Sequence, residues 1–523
     1  MHAPPATVAP EIHARRWAIL GVLCLSVFVV IMDGTIVNIA LPTLVVDLGA
    51  STRELQWIVD AYLLVFTGLL LAAGSLGDRY GRRRMLVGGL VVFVATSVLA
   101  GSVESAGALI GARGLMGIGA AAIFPATLAL LTNVFADPRE RAAAIGAWSG
   151  VSGLAVAGGP IVGGWLLEHF WWGSVFFVNI PIVAVALVGV YAVVPESRDQ
   201  HTPRLDWVGA GLSIAAMTAI VLAVIEAPSW GWTDPSTAAV LLLGLGLLAA
   251  FVLWELRVPN PMLPVRIFRN LRFTAGSIAI TSAFFALFGF IFLITQYFQL
   301  IRGYGPLEAG VRTIPVAMAI GVSSVLSPKL VERVGTTRVV STGLASMAVG
   351  FLWVSTASAG TPYLEIVGQM LFLGVGLGMT TAPATESIMG SLSPEKAGIG
   401  SAVNDTTREL GGTLGVAVIG SVFNSIYLAT LRDGSVFSQL PPAAREATEE
   451  TVGAAGIVAE RIGPLAPAYL AEVSDAFLAG LGVACLVTAG VAAAGSVFAA
   501  RFLPARAAQP IGPGAVETAP VPL

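Results

Sequence analysis

The fold of this chain is decided by a long apolar stretch near its start. Residues 17–42 read WAILGVLCLSVFVVIMDGTIVNIALP, in which the strongly polar side chains are Asp33, Thr35 and Asn38. An α-helix rises about 1.5 Å per residue, so this stretch is long enough to cross a bilayer core of about 30 Å. A carboxylate at that depth costs several kcal/mol unless it is paired, hydrated or protonated. Asp33 is therefore either a polar side chain buried in helix packing or a site for a proton or a cation.

The composition is that of a protein that crosses the membrane many times. Of 523 residues, 56% are hydrophobic and 11% are charged, whereas a soluble domain carries roughly 25% charged residues. The net charge of -3 is too small to indicate nucleic acid as a partner. Cys24 and Cys485 both lie in apolar segments, so we expect buried thiols and no disulfide. Residues 1–16 are rich in Pro and Ala, and we expect a disordered tail there and no cleaved signal peptide.

Apolar segments of spanning length recur along the whole chain. We count fourteen, at about 17–42, 55–76, 85–104, 107–134, 140–167, 174–194, 206–227, 236–256, 273–301, 308–331, 338–358, 363–391, 398–431 and 475–503. An even number places both termini on one side, and twenty of the 28 Lys and Arg residues then fall on that side. The positive-inside rule therefore predicts cytoplasmic termini in a multi-pass inner (plasma) membrane protein. Residues 432–472 would form the longest external loop, for which we favour a solvated hairpin over a partner-binding element.

The sequence contains an internal repeat. The loop GSLGDRYGRRRML after the second segment matches the loop PKLVERVGTTRVV after the tenth, so that Gly81 aligns with Gly335. Corresponding segments are therefore eight apart, as expected for two six-helix halves separated by two extra helices. Parallel six-helix repeats are typical of the major facilitator fold, which has its substrate cavity between the halves.

We predict an all-α polytopic membrane protein of that fold, with 14 transmembrane helices. The expected parts are a cytoplasmic tail (1–16), a six-helix bundle (17–194), two inserted helices (195–257), a second six-helix bundle (258–503) with its external loop (432–472), and a cytoplasmic tail (504–523).

Four motifs connect the chain to a known family. They are DGTIVNIALP from Asp33, GSLGDRYGRR from Gly74, RGLMGIG from Arg113 and GGPIVGG from Gly158. With them the sequence resembles the fourteen-helix drug:proton antiporters of the major facilitator superfamily, the EmrB/QacA family, over about residues 17–422. The segment WIVDAY around Asp60 is similar to the subgroup that exports quaternary ammonium compounds and cationic dyes.

The resemblance implies roles for these motifs. Asp33 and Arg113 would couple transport to protons, because an arginine favours the ionised form of a nearby aspartate and burial favours the neutral form. The loop motif would be a charge latch that holds the outward-open state, although ordinary positive-inside anchoring also fits; its residues are Gly74, Asp78, Arg79, Gly81 and Arg82. The antiporter motif would let helices approach closely and slide, although glycine can also serve packing alone; its residues are Gly158, Gly159, Pro160, Gly163 and Gly164.

Other polar and aromatic side chains are candidates for contact with substrate. Asp60 could attract a cationic compound, or it could reach the membrane interface. Glu409 could add a second cation site, whereas the neighbouring Asp405 and Arg408 have the spacing of an internal ion pair. Glu226 is a weaker candidate, for which we favour an interfacial or structural role. The remaining candidates are Phe284 and Phe288, whose spacing suits either stacking on a cation or contact with lipid.

These features favour a proton-coupled multidrug efflux transporter that exports amphipathic, cationic compounds such as biocides, dyes and antibiotics. The alternative is a dedicated exporter of an endogenous metabolite, antibiotic or lipid. A channel would need a filter or a charged ring, and an enzyme a nucleophile or phosphate-binding motif, and the sequence shows neither. We expect no cofactor and no metal, because the proton gradient supplies the energy and the four histidines lie outside the apolar segments. The expected partners are small-molecule drugs, protons and the lipid bilayer, with no nucleic acid, and we expect a monomer.

Overall fold

The computed structural model describes residues 10–135, 137–198, 206–259, 261–391 and 397–504. Its α-helices, in chain order, are α1 (Pro10–Leu48), α2 (Thr52–Tyr80), α3 (Arg82–Ala100), α4 (Ala106–Val134), α5 (Pro138–His169), α6 (Ser174–Phe177), α7 (Asn179–Val193), α8 (Trp207–Trp230), α9 (Pro235–Arg257), α10 (Leu271–Gln296), α11 (Pro306–Val311), α12 (Ile314–Val334), α13 (Thr336–Val354), α14 (Tyr363–Met389), α15 (Ala397–Arg432), α16 (Pro442–Glu450), α17 (Ala454–Ile462) and α18 (Ala466–Phe502). No β-strand occurs within these ranges.

Local sequence signals explain where several helices begin and end. Ser51 and Glu54 form a reciprocal capping box at the start of α2, which satisfies two of its free backbone N–H groups. Asp206 and Asp234 cap the starts of α8 and α9 with their carboxylates. Gly81 and Gly335, the two glycines aligned by the repeat, separate α2 from α3 and α12 from α13 with φ of +116° and +87°. Positive φ favours glycine, so both repeat loops make the same turn for the same reason.

The long helices pack as two groups joined by a pair. The first group, here the first bundle, contains α1 to α7, and the second bundle contains α10 to α18. α8 and α9 pack on each other, and α8 also rests on α2 of the first bundle and α15 of the second. The bundles meet through α2 with α15, α5 with α11 and α12, and α1 with α10. We call the end of the molecule that carries residues 432–472 the hairpin end, and the opposite end the termini end.

The number of spans is close to the prediction. Within the described residues, twelve helices are long and apolar enough to cross a membrane, or up to thirteen if α2, bent by 50° between Leu70 and Ala72, counts as one span. α5 coincides with the fifth predicted segment, but several of its side chains lie outside the described residues. The count of fourteen, like the division into bundles and insert, stays a prediction.

The chain is ordered earlier than we expected. α1 begins at Pro10, inside the segment 1–16 for which we predicted disorder. Within this first part of α1, Arg16 donates two hydrogen bonds of 2.9 Å to Glu140 at the start of α5, which holds the helix against the first bundle. The expectations for residues 1–9, 199–205 and 505–523 lie outside the described residues.

Residues 432–472 fold into two short helices, α16 and α17, and are more ordered than the solvated hairpin that we predicted. α17 and the turns around α16 bury apolar side chains, namely Leu440, Val452, Ala455, Val458 and Ala459. Thr448 ties α16 to the bundle, because its carbonyl accepts a hydrogen bond from Tyr427 and its hydroxyl lies 2.6 Å from that of Tyr469. The Arg432 guanidinium, hydrogen-bonded to Glu449, holds the pKa of that carboxyl below its usual range. The apolar face of the two short helices explains the difference from our prediction.

Candidate functional site

The predicted proton-coupling residues form a buried ion pair. Asp33 of α1 and Arg113 of α4 are both fully buried, and Arg113 Nη1 donates to Asp33 Oδ2. Arg113 Nε donates to the Ile58 carbonyl at 3.1 Å, and the guanidinium carbon lies 4.2 Å from the ring centroid of Tyr62. The Tyr62 hydroxyl in turn donates to the Val30 carbonyl at 3.0 Å. Helices α1, α2 and α4 thus fix the pair in a site that water does not reach.

Two further side chains complete this site, and the sequence reasoning missed both. Asn179, the first residue of α7, donates through Nδ2 to Asp33 Oδ1 at 2.9 Å and to Ser97 Oγ of α3 at 3.1 Å. Both are fully buried. The available signal was a lone asparagine inside the apolar sequence VFFVNIPIV, at the predicted depth of a membrane helix.

Asp60, a predicted contact for a cationic compound, makes no hydrogen bond to the ion pair. It is fully buried, and neither carboxylate oxygen has a hydrogen-bond partner among the described residues. It occupies the same face of α2 as Gln56 and Leu64, one turn from each. Gln56 donates to the Ala417 carbonyl of α15 at 3.3 Å, and Leu64 packs against Ala417. Asp60 therefore belongs to the interface between the two bundles.

Glu409 of α15 is partly exposed, and its carboxylate makes no hydrogen bond or ion pair within the described part of the chain. It lies close enough to Tyr62 to act electrostatically on that hydroxyl. Glu409 consequently faces the first bundle from the second, as a cation site between the halves would require.

The expected Asp405–Arg408 pair is not an ion-pair contact in the described structure. Arg408 Nη2 donates to Thr385 Oγ1 of α14 at 3.3 Å, and its guanidinium carbon lies 5.4 Å from the ring centroid of Phe284. Asp405 instead accepts from Asn404 at 3.2 Å. The long arginine side chain reaches the neighbouring helices, which offer a hydroxyl and an aromatic face.

Phe284 and Phe288 lie beside this group. Both are half-buried, and their ring centroids are 6.3 Å apart. A side chain at Gly412 would contact the Phe288 ring at 3.2 Å, so this ring faces α15. The aromatic pair therefore borders the acidic and basic side chains of α15.

Glu226 lies at the hairpin end and is already paired. Its carboxylate accepts from Arg53 at the start of α2 at 2.9 Å. Close by, Trp232 Nε1 donates to Ser425 Oγ of α15 at 2.9 Å. These two contacts tie the α8–α9 pair to both bundles.

The antiporter motif brings α5 against helices of both bundles. A Cβ at Gly159 would overlap Thr35 Oγ1, and one at Gly163 would lie 2.6 Å from Ile36 Cγ1, both on α1. A Cβ at Gly164 would lie 2.5 Å from the Pro306 carbonyl oxygen, across the interface on α11. A Cβ at Gly158 would make only an ordinary van der Waals contact. The carbonyl of Pro160 faces Gly310 of α11 without room for a side chain.

Hydrogen bonds between the bundles, within the described residues, lie at the hairpin end. Besides Gln56, they involve Gln299, which donates to the Ile39 carbonyl at 2.9 Å, and Glu168, which accepts from the Leu307 N–H at 3.2 Å. Gln299 lies in a π-helical turn, Tyr297–Ile301, that follows α10. The structure is thus closed at the hairpin end.

The loop motif is anchored within the first bundle at the termini end. Asp78 Oδ1 accepts from Arg82 Nε at 2.8 Å, and Arg82 N donates to the Ser197 carbonyl at 2.9 Å. The Glu196 side chain packs closely on Gly81, because a Cβ at Gly81 would lie 2.7 Å from Glu196 Oε1. Gly74 meets only an ordinary contact, and Arg79 is exposed beside the ring of Tyr80.

A family model described as "Major Facilitator Superfamily" matches residues 23–416, which is most of the chain. The chain belongs to this superfamily. That result, together with the helical architecture, confirms the predicted major facilitator fold. The protein is therefore a polytopic membrane transporter.

One similar protein is "Multidrug efflux pump LfrA" of Mycolicibacterium smegmatis. It is 36% identical to this chain over 501 residues, which cover 95% of this chain and 98% of that protein. "Tetracenomycin C resistance and export protein" of Streptomyces glaucescens is 34% identical, with 99% and 96% covered. A solved bacterial homolog of the human lysosomal transporter Spinster, inward-facing and unoccupied, superposes with a TM-score of 0.68 at 16% identity, covering 95% of this chain and 98% of that chain. That structural likeness concerns the fold alone.

Proposed function

We propose that this transporter exports amphipathic, cationic small molecules in exchange for protons, with Asp33 as the residue that carries the proton. The single observation on which this rests most is the dry Asp33–Arg113 pair, supported by the similarity to proteins named for multidrug efflux and drug resistance. In a buried pair each charge offsets the cost of burying the other, so removing one charge leaves the other uncompensated and costly. Protonation of Asp33 would thus change the packing of α1 against α4.

In this proposal the hairpin end faces outward and both termini are cytoplasmic. The structure then corresponds to a state closed to the outside, from which a compound in the cytoplasm would be taken up. Protons entering along the gradient would supply roughly 2.3 kcal/mol per charge per 100 mV and about 1.4 kcal/mol per pH unit. Exchange of two protons for one monovalent cation would use both terms.

We assign the attraction of the cationic compound to Asp60 and Glu409, with Phe284 and Phe288 as the aromatic surface. Asp60 would meet a substrate only after α2 and α15 separate, because it is shut between them here. Glu226 has a weaker claim, since Arg53 already neutralises it. The loop around Asp78 would act as the latch of the opposite, outward-open state, in which its partners would differ.

The test uses proteoliposomes with ethidium as the cationic probe and a pH-sensitive dye. Asp33→Asn should bind ethidium yet release no protons and build no gradient. Asp234→Asn is the matched control, because Asp234 is an exposed cap of α9 and asparagine caps equally well. Asp60→Asn should mainly weaken ethidium binding. If Asp33→Asn keeps proton release and Asp60→Asn loses it, the two roles are reversed. If both keep it, the proton site lies elsewhere and Glu409→Gln is tested next.

A further inference from the structure

The second oxygen of Asp33 has its own dedicated partner. Arg113 holds Oδ2, whereas Oδ1 accepts a hydrogen bond of 2.9 Å from Asn179 Nδ2. The same nitrogen donates its other N–H to Ser97 Oγ at 3.1 Å. Three helices, α1, α3 and α7, therefore meet at one amide group, and all three side chains are fully buried.

An asparagine at this position can serve both protonation states of the carboxyl group. When Asp33 is ionised, the amide N–H donates to it, as observed. When Asp33 is protonated, an amide turned by about half a rotation presents its oxygen, which accepts from the carboxyl O–H. Asn179 Oδ1 has no partner among the described residues, so no other contact opposes such a turn. The Ser97 hydroxyl can accept or donate, and so it can follow the amide in either orientation.

The other charged or titratable groups around this carboxylate are few. Arg113 comes from α4, and Tyr62 of α2 packs against the guanidinium. The Tyr62 hydroxyl also interacts electrostatically with the Glu409 carboxylate of α15. Asp60, on the same helix as Tyr62, makes no hydrogen bond to the pair. Asn179 is thus the one neutral side chain, within the described residues, that hydrogen-bonds to the Asp33 carboxylate.

We propose that Asn179, supported by Ser97, is a positioning residue that sets the proton affinity of Asp33 by pairing with it in both protonation states. This rests on the proposed function, in which Asp33 carries the transported proton. Without Asn179 the ionised carboxylate loses a charge-assisted hydrogen bond, whereas the neutral form loses a hydrogen bond of about half that strength. The equilibrium between ionised and protonated Asp33 therefore moves toward the protonated form.

The readout is the pH dependence of ethidium-induced proton release in proteoliposomes. Asn179→Leu should move the midpoint to higher pH by about one unit, a tenfold increase in proton affinity. Asn179→Asp, which is isosteric, should move it further in the same direction, because two neighbouring carboxylates share a proton. Gln369→Met removes a buried amide from α14 of the other bundle and should leave the midpoint unchanged.

The outcomes separate this inference from the proposed function. If Asn179→Leu is folded and releases protons with the native midpoint, while Asp33→Asn releases none, Asn179 is a packing residue and the inference is wrong. If Asn179→Leu does not reach the membrane, the smaller Asn179→Ala, which also removes the amide and adds no charge, decides the question in the same way. If Asp33→Asn itself still releases protons, the proposed function fails, whatever the Asn179 variants do.

Discussion

Gly164 gives the sharpest test of how the two bundles close at the hairpin end. A Cβ there would lie 2.5 Å from the Pro306 carbonyl oxygen and 2.6 Å from Leu307 Cα. Non-bonded carbon atoms prefer about 3.5–4.0 Å, so Gly164→Ala forces α5 and α11 apart by about 1 Å. Overpacking of this kind costs about 1–3 kcal/mol. If the contact exists only in the closed state, the whole cost shifts the equilibrium toward opening by about 5- to 150-fold.

The chain offers two matched controls for this substitution. A Cβ at Gly374 would also lie 2.5 Å from a carbonyl oxygen, that of Val316, but inside the second bundle. Gly374→Ala should therefore lower stability without favouring either state. A Cβ at Gly321 meets nothing within 4 Å, so Gly321→Ala measures the substitution alone.

Opening is measured at Ser421, which is fully buried between α15 and α2 and accepts from Gln56. Ser421→Cys, in a protein that lacks Cys24 and Cys485, should react with a membrane-impermeant maleimide only when the hairpin end opens. Gly164→Ala should raise the labelling rate by the same factor as the open population. Labelling equal to that of Gly321→Ala would refute the closure mechanism. An equal rise in Gly374→Ala would mean that the second bundle has loosened.

Two further predictions concern the termini end and the orientation. Asp78→Asn should slow ethidium export several-fold and leave ethidium binding intact, because it weakens the pairing with Arg82 that shapes the loop. If this variant exports ethidium at the native rate, the loop serves only as a topological anchor. Ser438 is exposed at the hairpin end. In the protein that lacks Cys24 and Cys485, Ser438→Cys should therefore react with a membrane-impermeant thiol reagent in intact cells. Labelling that occurs only after lysis would place the hairpin end in the cytoplasm.

The sequence predicted those features that local signals encode. Apolar length located the long helices, and the repeat aligned Gly81 with Gly335, which make the same positive-φ turn. The family motifs singled out Asp33 and Arg113, which form an ion pair. What it could not supply was the rotation of each helix about its axis. Asp60 lies on the face of α2 that meets α15, and Arg408 turns from Asp405 toward Thr385.

The same limit explains why Asn179 and the hairpin end escaped prediction. An asparagine in an apolar run carries no sign of which helix it faces, and its partners Asp33 and Ser97 lie 146 and 82 residues away. Residues 432–472 read as polar because charged side chains dominate α16. Their apolar side chains are buried only in the folded protein, where the rest of the second bundle covers them, and the sequence alone does not show this.

The position of Asp33 restricts how proton and drug could be coupled in the proposed exchange. Its partners come from α4 and α7, and the α7 partner, Asn179, is held in turn by Ser97 of α3, all in the first bundle. Asp60 and Glu409 lie toward the interface between the bundles. A drug in that interface cannot touch the Asp33 carboxylate while the pair is intact, so simple competition for one carboxylate does not fit this geometry. Protonation would instead leave Arg113 without its counter-charge in a dry site, where Nη2 already lacks a partner among the described residues. An uncompensated buried guanidinium is costly, and the relief available to it is a rearrangement of α4 against α1 and α2. Since α1 and α2 also carry the contacts to α10 and α15, the proton can reach the drug site through helix packing.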